Sequence, residues 1–329
     1  MTTLHFTRRA VLAAVAASAT LLSSGLATAQ SSSAPLRVIL PVGAGSGVDT
    51  IVRAAQNALS KALGGQAVVI ENLPGAGGIT GTQTLVRAAP DGNTVAFISN
   101  NHAVNPSVFK SLPYDSLNDI TPISVVGGSP FVLVVNPAKV NVKTAKEMQT
   151  LLKAQPGAFN MASSGNGTII HLAGEMYADA LGVSAQHVPY RGMGPMLTDL
   201  ISGQVQFGAA AVAAAQGHVA SGRLRAIGVM GSQRVPSMPD VPTIAEQGFP
   251  EVDVSGWFAM VGPKGLPAAQ VKRLHDAVVA AFNDPDVKAA MAKQDNFINP
   301  TTPEAAAKFL KVEQDRYARL VAKAGIKLD

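Results

Sequence analysis

A chain of 329 residues with 47% hydrophobic content is long enough for one large or two ordinary domains, each with its own core, which excludes a disordered polypeptide. Its formal net charge of +5 is too mild for a nucleic-acid footprint. The absence of Cys excludes thiol catalysis, thiolate metal sites and disulfide staples.

The first segment has the layout of a secretory signal peptide. Arg8 and Arg9 precede an uncharged apolar run from Ala10 to Leu26, and Ala27-Thr28-Ala29 supplies small residues for cleavage before about Gln30. The run is too short and Ala-rich for a comfortable membrane span, and no later stretch approaches the ~20 apolar residues a transmembrane helix needs. Thr7-Arg8-Arg9 is part of a twin-arginine pattern without its remainder, so both export routes stay open. Removing residues 1–29 deletes two Arg and no acid, which lowers the formal charge to +3.

From residue 36, short β-branched runs alternate with helical stretches. Leu36 to Leu40 reads as a strand, Val48 to Leu63 as a helix stopped by Gly64-Gly65, and Ala67 to Ile70 as the next strand. The glycine loop ENLPGAGGITG follows, then a helix to about Ala88 and a strand from Thr94 to Ser99. The same pattern restarts at Phe131 to Val135. Thr144 and Glu147 form a capping box for a helix to about Gln155, and Phe159 to Ala162 is a strand. SSGNGTIIHLAGEMYADALG reads as a loop and a helix ended by Gly182. Further βα pairs run through AQHVPYRG, a helix near Pro195 to Ile201, a strand at Gln204 to Gly208, an Ala-rich helix and a strand at Leu224 to Val229. A Pro-rich connection leads to a strand at Val254 to Val261, a helix at Pro267 to Asn283, and a last helix from Thr302-Pro303 to about Gly325. The alternation predicts doubly wound α/β sheets. The last portion has too few strands for a third domain, so it should pack on the first unit, giving two lobes joined near Val125–Pro130 and Val252–Gly256. Such a layout suits hinge closure over a cleft.

PVGAGSGVD, Pro41 to Asp49, occupies the place of a nucleotide-binding glycine loop. It fails that chemistry, because Val48 stands where a dinucleotide fingerprint needs its third Gly, and Asp49 would repel a pyrophosphate. A tight turn without a ligand is one remaining reading. A small carboxylate is another, since it needs only a few N–H donors at a helix N-terminus. Residues 43–47, 75–78 and 163–168 all lie between a strand and a helix, at the strand ends where open α/β sheets bind ligands. Ser163, Ser164 and Thr168 add hydroxyls that could equally be helix caps. His171 and Glu175 stand four apart but lack the other ligands of a zinc site, so no metal is expected. No G-x-S-x-G elbow surrounds any Ser, and His171 is poorly placed to reach Ser164, so no enzyme is expected. Arg191 could pair with a second carboxylate or be a surface cation.

Eight motifs in order, PVGAGSGVDTIVRA, ENLPGAGGITGTQTLVRAAPDGNT, LPYDSLNDITPI, SSGNGTIIHLAGEMY, HVPYRG, DLISGQV, SGRLRAIGV and MPDVPTIAEQGFP, resemble the Bug family of periplasmic solute receptors, the binding subunits of tripartite tricarboxylate transporters. The resemblance spans essentially the whole mature sequence. It implies a type II periplasmic binding fold, with each lobe a doubly wound sheet. Residues 30–128 plus 254–329 would form lobe 1 and 129–253 lobe 2, and a small organic (di)carboxylate would sit in the interlobe cleft. It also implies periplasmic location, no cofactor, a monomer, and membrane subunits of a transporter as partners. Carried over by motif, the ligand positions are Val42, Gly43, Ala44, Gly45, Ser46, Asp49, Asn100, Asn101, Ser163, Ser164, Asn166, Gly167, Thr168, His171, Arg191 and Ala209. Arg191 stands where the family more often has Lys, and adds a carboxylate-matching fork. Val42 replaces the family's usual aromatic and Ser46 its second Gly. Gly208-Ala209 stands where many relatives carry Asp, which predicts a ligand without an amino group. A receptor serving a membrane sensor and an exported hydrolase are the alternatives.

Overall fold

The computed structural model describes residues 34–324, so the leader with its cleavage point and the end of the last helix lie outside the described residues. The N-terminal half begins with β1 (Leu36–Leu40), α1 (Gly47–Ala62), β2 (Val68–Asn72), a 3₁₀ turn at Ala76–Gly78, α2 (Ile79–Val86), β3 (Thr94–Ser99) and α3 (Asn100–Val108). A 16-residue strand, β4 (Ile120–Val135), leads into α4 (Ala145–Ala154), β5 (Asn160–Ser163), α5 (Ile169–Leu181), β6 (Gln186–Pro189), α6 (Met193–Ser202), β7 (Phe207–Ala211), α7 (Val212–Ala220) and β8 (Arg225–Val229). The chain closes with β9 (Ser255–Pro263), α8 (Ala268–Asn283), α9 (Pro285–Ala292), β10 (Phe297–Ile298) and α10 (Pro303–Ala324).

One curled sheet carries the strand order β2-β1-β3-β9-β4-β7-β5-β6, with β8 and β10 also on β4. The βα units give the expected parallel pairs, β1 with β2 and β3, and β5 with β6 and β7. The centre differs from a purely parallel sheet, because β9 runs antiparallel to both β3 and β4. Strand β4 belongs to two strand sets. Its residues 120–130 pair with β9, and residues 131–135 pair with β7 and β8. The crossing expected at Val125–Pro130 is therefore a continuous strand, bent by irregular register between Pro122 and Ser124 and between Val125 and Gly127. Glycine is required there by close approach. A Cβ on Gly127 would lie 2.0 Å from the Phe297 carbonyl oxygen, and one on Gly128 2.4 Å from that of Gly256.

Two apolar clusters flank this seam. In the smaller one, Val38 and Leu40 of β1 meet Ile51, Val52 and Leu59 of α1 and Leu274, Val278 and Phe282 of α8. Part of the terminal portion, α8, thus packs on the first strands, with Phe97 and Phe282 rings 6.1 Å apart. The larger cluster joins the end of β4 to β5, β7, α5 and α10. Helix α10 contributes Ala306, Leu310, Tyr317 and Val321, so it contacts more than the first unit. Among local signals, Thr144 accepts a hydrogen bond from the Glu147 amide at 3.0 Å, and the Glu147 carboxylate accepts one from Lys143 N–H at 2.7 Å. Gly182 ends α5 in the left-handed conformation with φ 61°.

Candidate functional site

The loop after β1 is built around Asp49. Ser46 caps α1, its hydroxyl accepting from the Asp49 amide at 3.3 Å. The Asp49 carboxylate, 4% exposed, accepts from the Gly45 amide at 2.8 Å, from Asn72 Nδ2 at 2.9 Å and from Arg53 Nε at 2.8 Å. Burial works to raise its pKa, but these donors outweigh it and hold the carboxyl below its ordinary value. Asp49 is thus a tie that shapes the loop, with its acceptors turned to protein donors rather than to a ligand. Gly43, Ala44 and Gly45 are exposed at the tip, and Val42 and Ser46 are half-buried. The second glycine loop supports the first. A Cβ on Gly81 would come within 2.8 Å of Pro41 Cα, and one on Gly78, where φ is +96°, within 3.0 Å of the Pro41 carbonyl oxygen.

The loop between β5 and α5 is tied from within and from β6. Thr168 caps α5 by accepting from the His171 amide at 3.3 Å, while its hydroxyl donates to the Gly165 carbonyl at 2.8 Å. Ser163 is fully buried, accepts from the Gly165 amide at 3.2 Å and lies 2.6 Å from His187 Nε2. This is a Ser–His contact, made by a different His from the one considered above, but a hydroxyl with no exposure cannot reach an external carbonyl. His171 is buried, accepts from the Gly167 amide at Nδ1, 3.2 Å away, and faces Glu175 at 3.5 Å. Its ring stacks on His187 at 3.7 Å between centroids. Burial, then the neighbouring His171, pushes the His187 pKa down to about 4. His171 and Ser163 therefore stand behind the loop, and Ser164, Asn166 and Thr168 are the more exposed members.

The amides left over are the chemical resource. Gly43, Ala44, Gly47 and Val48 on one loop, and Ser164, Asn166 and Ile170 on the other, have no acceptor for their backbone N–H among the described residues. Each set sits at the N-terminus of a helix of 13 or more residues, where the peptide dipoles favour an anion. Asn101 connects the two regions. Its Oδ1 accepts from the Ile169 amide at 2.9 Å, and the residue lines a small recess with Pro41, Val42, Gly78 and Ser99. Arg191 is exposed, with no ion-pair partner among the described residues. Its neighbours fix it beside the second loop, since the Tyr190 amide donates to the Ser163 carbonyl at 3.0 Å and the Gly192 amide to that of Ser164 at 3.1 Å.

Two expected ligand positions belong to the interior instead. Asn100, 1% exposed, donates to the Ser255 carbonyl and the Tyr317 hydroxyl and accepts from the Trp257 amide, which uses its whole side chain to join the start of α3 to β9 and α10. Ala209 is fully enclosed in β7 opposite Leu133, so its methyl group offers a ligand nothing. Sequence reasoning missed Arg53, Asn72 and His187. Arg53 was within reach of it, as the i+4 partner of Asp49. Asn72 and His187 reach Asp49 and Ser163 because the parallel pairings of β2 and β6 set them alongside, which no local sequence pattern announces. Among the described residues no group of three or more His, Cys, Asp or Glu could hold a metal ion.

Comparison with known proteins shows the family and the fold. The family model described as tripartite tricarboxylate transporter family receptor matches residues 51–326. Protein BugT of Bordetella pertussis is 35% identical over 296 residues, covering 89% of this chain and 90% of that one. The periplasmic binding protein BugD is 30% identical with a TM-score of 0.83, covering 89% of this chain and 99% of its own. MatC from Rhodopseudomonas palustris with bound malate is 28% identical with a TM-score of 0.81, covering 87% and 98%. A second R. palustris protein, with adipate, is 26% identical with a TM-score of 0.84, covering 89% and 98%. The fold is that of the two-lobed periplasmic binding proteins.

Proposed function

Because the chain belongs to the tripartite tricarboxylate transporter receptor family, whose members are solute-binding receptors, we propose that it captures a small dicarboxylate between the loops at 42–46 and 163–168 and delivers it to the transporter's membrane subunits. The observation that carries this reading is the pair of α-helix N-termini with unclaimed amides, linked through Asn101. One carboxylate of the ligand takes those amides and the Ser164 and Thr168 hydroxyls. Arg191 takes the second as a two-pronged partner. Malate and adipate in the related structures are of this chemical class.

The lobes are residues 30–128 with 254–329, and residues 129–253. The receptor acts as a periplasmic monomer after cleavage before about Gln30, and performs no chemistry. The buried Ser163 supports that last point.

The ligand lacks an amino group. The reason sits in the helices that the two loops open rather than in Ala209. Their acids are all committed, Asp49 to Gly45, Asn72 and Arg53, Glu175 to His171, and Asp179 to Lys323 at 2.7 Å. An ammonium group placed there would lose its water without gaining a carboxylate.

Amide chemical-shift mapping during a malate titration tests the site directly. The expected result is saturable movement of the Gly43, Ala44, Gly47, Val48, Ser164, Asn166 and Ile170 resonances. Movement confined to other surfaces would overturn the assignment.

A further inference from the structure

Away from the ligand loops, a cavity of about 280 Å3 opens where the chain passes between the two strand sets. Its walls come from β4, the segment entering β9, the stretch around β10, and α10. Its size is near the lower end of small-molecule sites, which run from about 300 to 1,000 Å3. Three aromatic side chains face it, Trp257, Phe297 and Phe309. Trp257 and Phe309 meet edge to face at 5.4 Å, while Phe297 is 52% exposed at the mouth.

The charges in the lining decide what such a cavity would hold. Glu313, 6% exposed, accepts the Trp257 indole N–H at 2.8 Å and lies 3.4 Å from Arg316. Arg316 also donates to the Asp253 carbonyl, so the guanidinium is held from two sides. The Asp253 carboxylate has no hydrogen-bond or ion-pair partner among the described residues. Two acids against one base leave the lining with one net negative charge. An incoming carboxylate would meet Arg316 already paired and two acids nearby. A cation would meet an unpaired Asp253 and aromatic faces, the combination that recognises organic ammonium groups.

The geometry points to this cavity as a second ligand site, taking a small organic cation with an apolar body, such as an alkyl- or arylammonium. The apolar body packs on Trp257 and Phe309, Phe297 covers the mouth, and Asp253 with Glu313 balances the charge. The site shares no residue with the carboxylate loops.

The chain contains one Trp, and it lines this cavity, so its fluorescence serves as the reporter. Benzyltrimethylammonium is titrated into the full mature protein, with phenylacetate as the anionic comparison. We expect a saturable change in Trp257 emission with the cation, weakened about tenfold by Asp253→Asn and by Phe297→Ala, and a much weaker response to phenylacetate. Both substituted residues lie at the edge of the cavity, and circular dichroism establishes that the variants are folded. No saturable change up to ~10 mM cation, an equal response to phenylacetate, or unchanged binding by both variants would overturn the assignment.

Discussion

At residue scale the site divides into groups that shape loops and groups left for a ligand. Asp49 shapes its loop by binding Gly45, Asn72 and Arg53 at once. Asp49→Ala should remove three charge-assisted bonds, lower stability by about 1–3 kcal/mol and weaken ligand binding by about tenfold or more. Denaturant unfolding and calorimetry measure the two effects; a variant with native stability and affinity would contradict the role. Arg191, by contrast, spends no bond on the fold, so Arg191→Ala should leave stability within about 0.5 kcal/mol and weaken a dicarboxylate far more than a monocarboxylate. His187 supplies the pH dependence. Its pKa is about 4 in the folded chain and about 6.5 when unfolded, so the unfolded state binds more protons between these values. Its contribution is complete above pH 6.5 and is lost as pH falls toward 4. His171 and Glu175 face the same ring, the first opposing and the second favouring its protonation. The thermal midpoint should therefore fall from pH 7 to pH 4.5, and His187→Gln should flatten that slope.

At element scale, legibility follows the strength of local signals. Strands β1 and β3 were read from their apolar runs with the bounds the structure shows, because such runs between turn residues have few other outcomes. The cap Thr144 was read outright and Thr168 as one of two options, whereas Ser46, also a cap, was read only as a ligand position. Three elements were missed. Helix α3 has no side-chain cap and carries Pro106 inside it, and β10 has only two residues, so neither leaves a period to find. Helix α9 did leave a signal, Asp284 before Pro285, whose carboxylate accepts from the Asp286 and Val287 amides. The long reach of β4 was hidden because Val125–Pro130 was read as a crossing between lobes, whereas its glycines admit neighbouring backbone to a continuous strand. Gly127→Ala tests this, as a Cβ would collide with the Phe297 carbonyl. It should destabilise the chain by about 2 kcal/mol or more and disturb β10, with denaturant unfolding as the measurement. A neutral effect would show that the approach is not required.

At the scale of the molecule, two βα strand sets joined through β4 and β9 give a protein whose candidate loops come from different parts of the chain. Sequence motifs singled out those candidate loops, but they could not separate exposed side chains from those, such as Asn100 and Ala209, that are buried in the fold. That distinction depends on burial and hydrogen-bond partners, which only the folded arrangement supplies. The central claim is that the unclaimed amides of two helix N-termini, with Arg191, select a dicarboxylate that has no amino group. Calorimetric titration of the mature protein with malate, adipate and aspartate tests it most directly. The account predicts saturable binding of a dicarboxylate, with aspartate weaker than malate by about tenfold or more. Aspartate binding as tightly as malate, or no binding by any of the three acids, would contradict it.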